Sequence, residues 1–123
     1  MSSVALGSCN CGRIEFRLDV EPIDVYICHC SICRKATGSG GIAVTVVPVE
    51  AFSWIRGLEH RTTWQKAQHD WETSFCSTCG SALPGKNDEQ SMYVPVGLLD
   101  SGAENLRVKK RLFLDSKAVW EEI

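Results

Sequence analysis

The chemistry-bearing residues of this 123-residue chain are seven cysteines gathered in three tight clusters. The clusters are Gly7-Ser8-Cys9-Asn10-Cys11-Gly12, Cys28-His29-Cys30-Ser31-Ile32-Cys33 and Phe75-Cys76-Ser77-Thr78-Cys79-Gly80. A Cys-x-x-Cys turn brings two thiolates onto one metal ion, and an adjacent glycine relieves crowding there. Cys-x-Cys on an extended chain puts both sulfurs on one side, so they too can face one ion. Zinc takes four such ligands in structural sites, with metal–sulfur bonds of about 2.3 Å. The simplest partition gives Cys9, Cys11, Cys76 and Cys79 to a closed tetrahedral site. Cys28, Cys30 and Cys33 remain as three ligands around an open position, the arrangement of a catalytic metal.

Other uses of the thiols fit less well. Seven is odd, so a full disulfide framework leaves one cysteine over. A redox Cys-x-x-Cys pair belongs between strand and helix in a βαβ unit, and no such unit is legible. The opening Met1-Ser2-Ser3-Val4 lacks the features of a signal peptide, and no stretch approaches the ~20 apolar residues of a membrane span. The expectation is a cytoplasmic chain, where stable disulfides are rare. A redox-sensing switch that ejects zinc on oxidation would use the same thiolates.

The basic residues are scattered and the formal net charge is -2. Nucleic-acid binders concentrate positive charge, so nucleic acid is disfavoured as a partner. The one basic cluster, Lys109-Lys110-Arg111, reads as a solvated strand edge.

The elements that position the cysteines read as mainly β. Ile14, Phe16, Leu18 and Val20 alternate with Arg13, Glu15, Arg17 and Asp19, the period of a strand with one buried face. Further strands are expected at 25–27, 42–47, 52–55, 61–65, 71–75, 92–96 and 112–114, with turns at Gly57, Gly85, Gly97 and Gly102. Residues 31–37 form one or two helical turns with Ser31 as cap. The four tryptophans, Trp54, Trp64, Trp71 and Trp120, are assigned to the core. One domain over residues 1–123 suits this length.

Taken together, Gly7-Ser8-Cys9-x-Cys11-Gly12, Cys28-His29-Cys30-Ser31-x-Cys33-Arg34-Lys35-x-Thr37-Gly38-Ser39, Phe75-Cys76-x-x-Cys79-Gly80 and Leu112-Phe113-Leu114-Asp115-Ser116-Lys117-Ala118-x-Trp120 resemble the glutathione-dependent formaldehyde-activating enzyme family. The resemblance runs from about Gly7 to Glu122. It implies an Mss4-like, tent-shaped β fold of small antiparallel sheets stapled by zinc. It also implies two zinc ions per chain, with Cys9, Cys11, Cys76 and Cys79 structural and Cys28, Cys30 and Cys33 catalytic. The implied reaction joins a thiol, glutathione in the founding enzyme, to a small carbonyl compound, formaldehyde, as a carbon–sulfur lyase. Arg111 departs from the pattern, standing where many relatives carry a histidine. One branch of the family is a centromere-associated protein, which corresponds to the alternative reading, a non-catalytic zinc-binding interaction module.

Around the open site, Arg34, Lys35 and His29 are the expected substrate-binding residues. A zinc with three thiolates carries a formal charge of about -1, so adjacent cations stabilise it or dock an anionic substrate. His29 lies between two ligands, so on an extended chain its side chain points away from them, toward a supporting or substrate-contacting role. His60 and His69 lie in polar surroundings and are expected to be exposed or to pack. The loop 37–41, rich in glycine, either brings backbone N–H groups to a ligand or serves as a plain turn.

Overall fold

The structure, a computed structural model, describes residues 4–123. It is mainly β with one short helix. In chain order the elements are β1 (Ala5–Ser8), β2 (Glu15–Leu18), β3 (Asp24–Cys28), α1 (Ser31–Thr37), β4 (Ile42–Pro48), β5 (Phe52–Arg56), β6 (Arg61–Gln65), β7 (Glu72–Cys76), β8 (Gly85–Lys86), β9 (Ser91–Pro95), β10 (Leu99–Ser101) and β11 (Arg107–Leu112). They form three sheets, ordered β10-β1-β2-β5, β11-β3-β4-β9-β8 and β6-β7. Pairing is antiparallel except for β11 alongside β3.

The alternation around β2 does what its period dictates: Ile14, Phe16 and Leu18 are fully buried, while Arg17 and Asp19 face solvent. Phe16 and Leu18 join Ala5, Val47 and Val94 in one core, which ties the first sheet to the second. A second small core, Ile14, Leu83, Cys9 and Cys76, wraps the thiols of the first and third clusters. Trp54 packs against both cores, with Phe52 edge-on at 4.9 Å.

The other tryptophans correct the expectation. Trp64 is 54% exposed, Trp120 is 65% exposed, and Trp71 is half-buried. Two small cores in this β-rich chain are filled by aliphatic side chains, two cysteines and three aromatics, Phe16, Phe52 and Trp54, leaving these indoles at the surface. The strand expected at 112–114 instead runs Arg107–Leu112 and stops where Phe113 takes a left-handed conformation, φ 58°. Lys109 and Lys110 do lie on an exposed sheet edge, and Lys109 reaches Asp24 at 3.5 Å. Gly85 is not in a turn but in β8, where a Cβ would run into the Tyr93 ring at 2.7 Å. Among the described residues no helix is long and apolar enough to cross a membrane.

Candidate functional site

Cys9 and Cys11 follow β1, while Cys76 ends β7 and Cys79 follows it, so each pair sits where a strand gives way to a turn. The two turns are built alike. Gly12 donates its N–H to the carbonyl of Cys9 at 2.9 Å, and Gly80 donates to the carbonyl of Cys76 at 2.8 Å. Both glycines have positive φ, 80° and 79°, with open space where a Cβ would stand. Glycine is required there by backbone conformation alone. Ser81 ties the turns together: its hydroxyl accepts from the Asn10 N–H at 2.9 Å and lies 3.3 Å from the Cys79 sulfur.

The four sulfurs lie within 4.8 Å of one another. Cys9 to Cys11 is 3.6 Å and Cys11 to Cys76 is 3.9 Å. A tetrahedron with metal–sulfur bonds of about 2.3 Å has edges of about 3.8 Å, so the spacing suits one tetrahedral ion. A disulfide needs about 2.05 Å, and all seven cysteines are free. The thiols are not equivalent. Hydrogen bonds from the Ser81 side chain and backbone bring Cys79 down to about 5. The Arg13 backbone N–H lowers Cys11, whereas burial pushes Cys9 up.

The second group is set by the junction of β3 with α1. Cys28 ends β3, Cys30 is the N-cap of α1, and Cys33 lies in its first turn. Ser31 was the expected cap; Cys30 takes that place because its sulfur accepts the Cys33 N–H at 3.4 Å, which the Ser31 side chain does not. Cys28 and Cys30 sulfurs are 3.5 Å apart, and all three lie within 4.8 Å of one another. Among the described residues no other Cys, His, Asp or Glu joins this group. Burial pushes Cys28 and Cys33 up. Burial also acts on Cys30, but hydrogen bonds from the Cys33 backbone and from the neighbouring thiols outweigh it and lower the group. Each cluster could therefore hold a metal ion.

The loop after α1 braces this group. Gly38 closes the helix by donating to the Arg34 carbonyl at 2.8 Å, and Thr37 donates to the Cys33 carbonyl at 3.0 Å. Gly41 passes so close to the Cys28 carbonyl that any Cβ would collide with it. Close backbone packing accounts for that glycine.

His29 is corrected as a substrate contact. It is 1% exposed, and both ring nitrogens are engaged. Arg111 can only donate, so Nε2 accepts its Nη1–H at 3.3 Å; Nδ1 then carries the proton and donates to the Gly40 carbonyl at 3.0 Å. The ring bridges β11 to the loop after α1, and its burial leaves no face for a ligand. Arg34 and Lys35 part company. The Arg34 Nε is buried without a hydrogen-bond partner, while Lys35 is exposed and lines a cavity of about 660 Å³ between α1 and the β6–β7 hairpin. Ser31 and Ile32, the residues between Cys30 and Cys33, stand in its wall with Trp64, Trp71 and Phe75. The sequence reading missed these three aromatics as site residues. Their alternation along two paired strands was the signal that could have found them.

Of the other histidines, His69 is exposed at the cavity, and His60 is half-buried, its carbonyl accepting both N–H and hydroxyl of Ser77.

Comparison with known proteins adds three findings. Residues 4–116 match the family described as glutathione-dependent formaldehyde-activating enzyme. A Halomonas elongata protein provisionally named for that activity is 34% identical over 125 aligned positions, covering 95% of this chain and 79% of that protein. A crystal structure of a Rhodobacter sphaeroides protein shares the fold, with a TM-score of 0.61 at 24% identity, over 78% of this chain and 88% of that one. The match in sequence spans both cysteine groups, and this chain belongs to the glutathione-dependent formaldehyde-activating enzyme family.

Proposed function

We propose that residues 1–123 form one zinc-dependent carbon–sulfur lyase domain that joins a thiol to a small carbonyl compound, with glutathione and formaldehyde as the first candidates. The observation that carries this reading is the three-thiol group at Cys28, Cys30 and Cys33, spaced for one metal and with no fourth protein ligand among the described residues. Family membership supports the choice of substrates.

In this reading Cys9, Cys11, Cys76 and Cys79 hold a structural zinc, and Cys28, Cys30 and Cys33 hold the zinc of the reaction. Zinc with an open position supplies Lewis acidity, which can activate a thiol or polarise a carbonyl oxygen. The residues of the chain do the positioning. The α1 N-terminus fixes Cys30 and Cys33 through the Cys33 N–H, and His29 pins the returning loop to β11. Arg34, whose buried Nε lacks a partner, offsets the negative charge of three thiolates around a divalent ion. Lys35 attracts an anionic thiol from the cavity side. The reaction forms one carbon–sulfur bond and breaks the carbonyl π bond; the thiol proton ends on the new hydroxyl oxygen. Seven free thiols suit the cytoplasm, where disulfides rarely persist.

The direct test is to mix zinc-loaded protein with carbon-13 formaldehyde and glutathione and follow the hydroxymethyl thioether carbon by exchange NMR. Faster exchange than in buffer, abolished by Cys30→Ser, supports the reading. An unchanged exchange rate, on protein shown to carry two zinc ions, assigns the chain to the non-catalytic module instead.

A further inference from the structure

The β6–β7 hairpin has two unequal faces. Trp64 is registered opposite Thr73, and Thr62 opposite Phe75. With a period of two, these side chains share one face. Trp71 joins them, its indole N–H donating to the Thr73 hydroxyl at 2.8 Å. The other face carries Arg61, Ser74 and Cys76, turned toward the four-cysteine site and joined by the 2.7 Å Arg61–Ser74 hydrogen bond. The aromatic face looks across the 660 Å³ cavity at α1, and Trp64 keeps 54% of its surface exposed.

The charges around this cavity are one-sided. Lys35 comes from α1 and Lys66 from the loop joining β6 to β7, which also places the His69 ring at the cavity. No acidic residue is among the side chains lining it. The nearby Asp70 and Glu72 line a separate, smaller cavity, and Glu72 sits 3.8 Å from Arg61. A basic cavity on a chain of net charge -2 runs against the molecule's own balance. Flat indole walls favour a planar π body over a flexible polar one, and the lysines favour an anion.

We propose that this cavity binds a planar aromatic group bearing a carboxylate. As the body of a thiol substrate, such a ligand rests on the reading of Cys28, Cys30 and Cys33 given above. As a binding site it stands without that reading, because none of the three thiols lines the cavity.

Calorimetric titration of the zinc-loaded protein with 2-naphthoate and with 2-naphthamide tests it. The carboxylate should bind saturably at one site per chain and about fivefold tighter than the amide, the size of two exposed ion pairs. Lys35→Gln with Lys66→Gln should erase that difference, and Trp64→Ala should weaken both ligands. Naphthoate binding read by calorimetry needs neither glutathione nor formaldehyde, which separates the cavity from the metal reading. Equal binding of carboxylate and amide, or indifference to Trp64→Ala, would overturn the proposal.

Discussion

At the scale of single residues, the seven thiols differ in charge before any metal binds. Cys79, held at about 5 by Ser81, is a thiolate at neutral pH, and Cys11 is lowered too. Cys9 and Cys33 are buried and raised, so they keep their protons. A brief, limiting pulse of iodoacetamide at neutral pH, on folded protein that has lost only the metal of the three-cysteine group, should label Cys30 well before Cys33. Peptide mass spectrometry reads the order, and labelling of Cys33 first would contradict the assignment. Metal uptake must displace the protons of the raised thiols, so affinity should weaken as pH falls and each uptake should release protons into weakly buffered solution. Gly12 and Gly80 make a second residue-scale case. Neither has a neighbour where a Cβ would go, yet both have φ near +80°. Gly12→Ala and Gly80→Ala should each cost about 1–2 kcal/mol through backbone strain alone, seen as a lower denaturant midpoint with an unchanged slope.

At the scale of elements, the two cysteine groups hold different things. The four-cysteine group clamps the end of β1 to the end of β7, joining the first sheet to the hairpin across a core of few side chains. The three-cysteine group joins only the end of β3 to the adjoining α1. A structural zinc can supply an apparent ~10–16 kcal/mol, as much as a whole domain's stability of ~5–15 kcal/mol. Cys79→Ser should therefore leave the chain largely unfolded by circular dichroism. Cys30→Ser should stay folded and lose one metal ion. The clusters were legible from spacing alone, because a segment of three or four residues fixes where its sulfurs go. The β2 alternation was legible for the same reason: its period is local. Three strands escaped the sequence reading: β1 and β10 are short and pair with each other across most of the chain, and β8 is only two residues long, paired to the adjacent β9. The sequence left His29 between a supporting and a substrate-contacting role because its partner Arg111 stands eighty-two positions away. The tryptophans were misjudged because hydrophobic type does not say which indoles a small core can hold.

At the scale of the whole molecule, the family match and the geometry meet at one point, the junction of β3 and α1. There a metal would have three protein ligands, an arginine with a buried Nε beside it in sequence and a basic aromatic cavity next to its turn. The chain as a whole should carry two zinc ions, and elemental analysis of protein prepared without chelators should find them; one or none would count against the two-site division. The central claim is that the second metal keeps a position for an external thiol. Cobalt-substituted protein, titrated with glutathione or a simple dithiol, tests this most directly through its sulfur-to-metal charge-transfer absorption. The account predicts that the band strengthens saturably as a fourth sulfur joins Cys28, Cys30 and Cys33, and that folded Cys30→Ser loses the response. A spectrum unmoved by any thiol, on protein carrying both cobalt ions, would contradict it.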